Sequence, residues 1–193
     1  MNNKEKIIAI ASLLNIASKI FKMKSSEVKD ILSSMKGLSK LLDPRIEELL
    51  ETAYSKLLEK PEAVDEVNTR IEMGAVSPYA ADYIALNDDR RIYVKVEVGE
   101  YYKLHGVKVR GEMPDHIAPM LELLSLLLIK RVYLEERGDT MGVKRCMEDL
   151  EKLYAGYVKP TLEGLISNLG VETPHRYILE GVMMALDSLQ ANS

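Results

Sequence analysis

The stretch from Ile117 to about Glu136, "IAPMLELLSLLLIKRVYLEE", is apolar on nearly every side until Lys130 and Arg131, with Glu122 its one earlier charge. A helix without a solvent face must be surrounded, by lipid or by protein. The charge at Glu122 leaves the run short of the roughly eighteen uncharged apolar residues that a membrane span needs. The rest of the chain must therefore pack around it, and the segment is expected to be a buried central helix.

Helical signals that could supply the packing recur almost from end to end. Apolar residues at Ile7, Ile10, Leu13, Leu14 and Ala17 fall on one helical face, continued by Ile20 and Phe21. Lys4 and Lys6 ahead of that run imitate an export signal, but the periodicity favours an amphipathic first helix. Ser25 or Ser26 can cap a second helix to about Met35, with "KGLSK" breaking it. In "LDPRIEELLETAYSKLLEK", Asp43 stands at an N-cap and Pro44 in the first turn, where a missing N–H costs nothing. Glu47 and Glu48 sit near the positive end of that helix, and Lys56 and Lys60 near the negative end. Pro61 begins another short helix, and Ser77–Pro78 repeat the cap-plus-proline device. Beyond the central helix, Gly138 ends one element and a further helix spans about Thr140 to Tyr154. Pro160 and Gly170 bracket another, and Thr173–Pro174 open the last.

One segment resists this reading. In "RRIYVKVEVGEYY", Ile92, Val94, Val96 and Val98 alternate with polar residues, the period of a strand. A lone strand without a partner is unstable, so residues 91–98 are expected to be helical or irregular, with extended structure as the alternative. The expected fold is all-α: one multi-helix domain over residues 1–193. Two lobes, about 1–105 and 113–193, could share it across a hinge.

Composition excludes several classes. Hydrophobic residues at 47% against 29% charged ones suit a packed domain rather than disorder. A net charge of −4 offers no general attraction to nucleic-acid phosphates. The lone Cys146 allows no internal disulfide and reads as an inert structural thiol. No nucleophile elbow, P-loop, dinucleotide fingerprint or HExxH motif occurs. Neither a cofactor nor a metal ion is expected, and the chain reads as a cytoplasmic protein that does not insert into membranes.

The most concentrated chemistry lies in "GEMPDH", just ahead of the central helix. Pro114 suits a first helical turn, which would set Asp115 and His116 among unpaired N–H groups, with Glu112 reaching back from outside. The plain interpretation is a helix cap worth on the order of 1 kcal/mol. A metal site on Glu112, Asp115 and His116 lacks convergent spacing, although His105 or His175 could approach through the fold. The remaining interpretation is a binding surface for an apolar and basic partner segment. Nearby Tyr79, Tyr83, Tyr93, Tyr101 and Tyr102 would supply contact area at low entropic cost.

From Ser77 to Ile129 the sequence resembles the TorD/DmsD/NarJ family, cytoplasmic chaperones for molybdenum-containing redox enzymes. The resemblance rests on "SPYAADY", "GEYYKLHGV" and "EMPDHIAPMLELLSLL", and continues more weakly through "YAGYVKPTLEGLISNLGVETPHRYILEGVMMAL". It implies a TorD-like all-helical fold with no catalytic site. It also implies binding of the N-terminal leader of a molybdopterin oxidoreductase catalytic subunit, often a twin-arginine export signal, which is held until cofactor insertion and assembly are complete. By position, Glu112, Pro114, Asp115 and His116 match the region linked to leader binding, and Tyr79 and Tyr83 the neighbouring tyrosine segment. The chain departs from the pattern in having no tryptophan; Tyr157 stands where one is common. Some relatives bind guanine nucleotide weakly or exchange halves in a domain-swapped dimer, for which "LHGVKVRGEM" would be the hinge, so monomer and swapped dimer both remain open. Two other classes also remain: a metal-dependent helical hydrolase, and a structural helical subunit of a larger complex.

Overall fold

The computed structural model describes residues 3–190; residues 1, 2 and 191–193, the ends of the expected 1–193 domain, lie outside the described residues. The fold is all-α, and the described residues contain no strand beyond one isolated antiparallel bridge, Tyr79 to His116. Helices α1 (Asn3–Ala17), α2 (Ser25–Ser39), α3 (Pro44–Glu59) and α4 (Glu62–Glu72) come first, with a 3₁₀ turn at Ile20–Lys22 after α1. A short α5 (Ala81–Ile84) and the longer α6 (Asp88–Leu104) follow. The second half holds α7 (Ile117–Glu136), α8 (Thr140–Leu153), α9 (Lys159–Asn168) and α10 (Pro174–Gln190).

Helix α7 is the centre, as its apolar character requires. It packs against α1 on one side and α8 on another, while α10 lies against α3, α1 and α9. Leu121, Leu124, Leu127 and Leu128 are fully buried. Two polar contacts fix the register of its neighbours: the Ser125 hydroxyl donates to the Ala11 carbonyl of α1 at 2.7 Å, and the Cys146 thiol of α8 to the Leu127 carbonyl at 3.2 Å. Helix α7 nevertheless keeps one open stripe, Glu122, Leu126, Ile129 and Tyr133, spaced three and four residues apart.

Several boundaries differ from the sequence reading. Helix α2 does not stop at "KGLSK", because Leu32, Met35 and Ser39 all face the core and outweigh the roughly 1 kcal/mol cost of Gly37 in mid-helix. Its start is capped by Glu27, whose carboxylate accepts from the Lys24 N–H at 2.9 Å, and not by Ser25 or Ser26. Residues 91–98 are helical within α6. Val94, Val98 and Tyr102, four residues apart, form its single buried stripe, and Asn87 caps it by accepting from the Arg90 N–H at 2.9 Å. No break separates α8 from α9: Tyr154–Val158 form a π turn that carries the chain straight through. Pro160 has no N–H and its ring crowds the carbonyl four residues back, so a widened turn ahead of it accommodates both.

Candidate functional site

The two motifs that stood out in the sequence meet in space and are stitched together by main chain. Ala80 N–H donates to the Asp115 carbonyl at 2.9 Å, and Ile117 N–H to the Pro78 carbonyl at 2.8 Å. Ser77–Pro78 therefore do not open a helix. Pro78 gives its carbonyl to the start of α7, and α5 begins only at Ala81.

The local geometry of "EMPDH" also corrects the expected cap. Pro114 lies outside α7, and the proline of the first turn is Pro119. His116, extended at φ −70° and ψ 138°, is the N-cap, and its Nδ1 accepts from the Ala118 N–H at 3.0 Å. Asp115 serves the other helix: its Oδ2 accepts from the Ala81 N–H at 3.3 Å, at the head of α5. The Asp115 side chain is completely buried, its Oδ1 is unpartnered, and burial pushes its carboxyl above the usual range. Burial likewise pushes His116 down to about 4, so it is neutral at pH 7, as a nitrogen that accepts a cap hydrogen bond must be.

The tyrosines belong to the same knot. Tyr79 meets the His116 ring edge-on at 5.3 Å, and His116 in turn meets Phe21 at 6.0 Å. The Tyr83 hydroxyl donates to the Ser77 carbonyl at 2.6 Å, while its ring lies against Gly164 of α9, where no Cβ stands in the way. Pro114 accepts from the buried Tyr102 hydroxyl at 3.1 Å. Among the described residues, no three His, Cys, Asp or Glu side chains converge as a metal site would require.

Of the six singled-out residues, Glu112 alone borders a cavity of about 620 Å³ between the end of α1, the linker 107–112 and the first turns of α7. Tyr102, Val107, Val109, Pro119, Leu123 and Leu126 give it an apolar floor. Glu112 pairs with Lys22 at 3.1 Å, and Glu122 accepts from the Ser18 hydroxyl at 3.3 Å. The other five residues do not border the cavity: Tyr79, Pro114, Asp115 and His116 lie at the junction that opens α7, and Tyr83 joins Ser77 to α9. Sequence reasoning missed the floor because it is assembled from three successive elements, α6, the linker and α7, whose packing no local pattern shows. The alternation of valine with basic residues at 107–110 was the local signal for one wall.

The family model for the nitrate reductase delta subunit matches residues 36–163. That match begins earlier in the chain than the sequence resemblance and ends before α10, and it contains both stitched motifs. No curated protein and no solved structure matches the chain. The chain belongs to the nitrate reductase delta subunit family, of the TorD/NarJ type, whose members are maturation chaperones for molybdenum-containing redox enzymes.

Proposed function

We propose that this protein binds the N-terminal leader of a molybdopterin oxidoreductase catalytic subunit in the cytoplasm and holds that subunit until cofactor insertion and assembly are complete, ahead of any export. The observation that carries this reading is the apolar-floored cavity beside the family motif. Its volume lies within the usual range for binding clefts, and its floor joins the open stripe of α7 at Leu126. A leader segment that buries two or three apolar side chains there gains roughly 1.5–3 kcal/mol for each, offset by the cost of ordering the segment. The balance favours a reversible complex, which a chaperone that must release its client needs.

In this mechanism Glu112 and Glu122 are the carboxylates within reach of a leader arginine, and an arginine at Glu112 displaces Lys22. Asp115 has no open side and acts through the stitched backbone. Tyr79, Tyr83, Pro114 and His116 contribute in the same way, by holding the wall against which the leader lies.

The test is a tagged pull-down from anaerobic extract of the native organism, with partners identified by mass spectrometry. Leu126→Glu, which puts a charge on the half-exposed edge of the floor, is run beside the wild type. Capture of a molybdoenzyme catalytic subunit by the wild type and its loss in a folded Leu126→Glu variant are the expected results. Equal capture by both removes the cavity from the mechanism.

A further inference from the structure

The wall of the cavity has a charge pattern that a purely apolar or purely basic segment would leave unmatched. Residues 107–110, "VKVR", lie outside any helix between Gly106 and Gly111, both in the left-handed region at φ 71° and 75°. Glycine adopts that conformation without strain, and two such residues let the chain turn at each end of this short strap. Val107 and Val109 are half-buried, whereas Lys108 and Arg110 are exposed, and all four border the cavity. Lys19, near the end of α1, borders it too.

Lys19, Lys108 and Arg110 form no ion pair among the described residues, in contrast to Lys22, which holds Glu112. The cavity thus has two more cations than carboxylates on its walls, in a chain whose net charge is −4. Cations set beside an apolar floor favour an occupant that is apolar in one part and anionic in another. The strap also identifies the kind of molecule. The Val107 N–H donates to the Tyr102 carbonyl at 2.8 Å, but from Lys108 to Arg110 no backbone group bonds to another among the described residues. A non-helical strap whose backbone donors and acceptors are free, and whose side chains alternate between half-buried and exposed, suits a second peptide chain, which can match them, better than a lipid or a small anion.

We infer that the segment seated here is a peptide with at least one carboxylate within two or three residues of its apolar anchors. The carboxylate is held by Lys108, Arg110 and Lys19. This rests on the reading of the cavity as the client site and adds to it: the leader is recognised by acidic residues as well as by any arginines facing Glu112.

The test uses three fluorescent synthetic peptides with the same arginine pair and the same leucine and phenylalanine run. They differ only at two flanking positions, which are Glu, Gln or Lys. Each is titrated against the full-length protein and its Lys108→Glu/Arg110→Glu variant, whose substituted side chains are exposed. The Glu peptide is expected to bind the wild type at least about tenfold more tightly than the Lys peptide at low salt, with the gap closing at high salt. The order is expected to invert in the variant. Equal or tighter binding of the Lys peptide, a preference that survives in the variant, no binding by any peptide, or displacement of the Glu peptide by laurate would each overturn the inference. If the pull-down client is captured and lost in Leu126→Glu while the peptides show no acidic preference, the cavity reading stands and only the acidic recognition fails.

Discussion

The Tyr102 hydroxyl and the Pro114 carbonyl are 3.1 Å apart, a hydrogen bond that closes the linker between α6 and α7 at its base. Tyr102 is buried on the last full turn of α6, and burial pushes its hydroxyl far above the ordinary tyrosine range, so it stays a donor at any physiological pH. It ties the two ends of the segment that carries the strap beside the cavity, alongside the Val107 N–H bond to the Tyr102 carbonyl and the Glu112–Lys22 pair.

Tyr102→Phe keeps the ring and removes the donor. It should cost about 1 kcal/mol, the usual net worth of one such bond. Amide exchange across residues 107–112 should quicken while exchange in α7 does not. Urea denaturation and hydrogen exchange measured on the same variant check both. Unchanged exchange in the linker would mean that other contacts hold the strap.

Acid sensitivity should come from two buried histidines. His116 and His175 flank Phe21 at ring distances of 6.0 and 6.1 Å, and burial holds both near pKa 4. His175 contacts Asn68 at 3.2 Å, and Asn68 donates to the Ile20 and Met23 carbonyls, so the pair ties α10 and α4 to the turn after α1. Because these folded-state values lie below the unfolded value near 6.5, their contribution to stability is full above pH 6.5. It is lost as pH falls through about 4, at most on the order of 3 kcal/mol for each group. Asp115 acts in the opposite sense, since burial raises its carboxyl and its contribution is lost as pH rises through the folded value. The melting temperature should therefore be flat from pH 8 to 6.5 and fall below that. His116→Asn, which can keep the N-cap, should flatten the decline. An equally steep decline in that variant would place the acid sensitivity elsewhere.

The helices were legible in the sequence wherever one face was apolar, because periodicity reports burial directly. Asp43 caps α3 by accepting from the Arg45 N–H at 2.9 Å, and α7 runs from Ile117 to Glu136, both as the sequence indicated. Residues 91–98 were ambiguous because Ile92 and Val96 are apolar yet exposed, which added a false period of two to a true period of four. The role of "EMPDH" was misread at the level of direction. Nothing local shows that Asp115 caps α5 instead of α7, since that depends on a bridge to Tyr79 from a distant segment. Of the cavity only the wall at 107–110 left a local signal, because its floor joins residues from α6, the linker and α7.

Glu112 and Asp115 should therefore respond differently to substitution. Asp115→Ala removes a buried cap and should cost about 1–2 kcal/mol, with leader affinity per folded molecule little changed. Glu112→Gln removes a partly exposed ion pair with Lys22 and should alter stability by less than about 0.5 kcal/mol. It should, however, weaken binding of an arginine-bearing leader severalfold. Thermal unfolding and calorimetric titration on the two variants separate these outcomes. A loss of affinity confined to Asp115→Ala would return the binding role to the buried carboxylate.

The contact between Tyr83 and Gly164 gives the sharpest packing test. A Cβ at position 164 would lie 2.2–2.7 Å from three carbons of the Tyr83 ring, closer than packing allows. The ring cannot simply swing away, because its hydroxyl is held by the Ser77 carbonyl at 2.6 Å. Gly164→Ala should thus strain the junction of α5 with α9 and cost about 1–3 kcal/mol, despite the better helix propensity of alanine. In a Tyr83→Ala background the obstructing ring is gone, and the same substitution should become neutral or slightly stabilising. A double-mutant cycle by urea denaturation measures the coupling. Additive effects would mean that α5 and α9 move apart at no cost, and that the Tyr83 ring does not hold their junction.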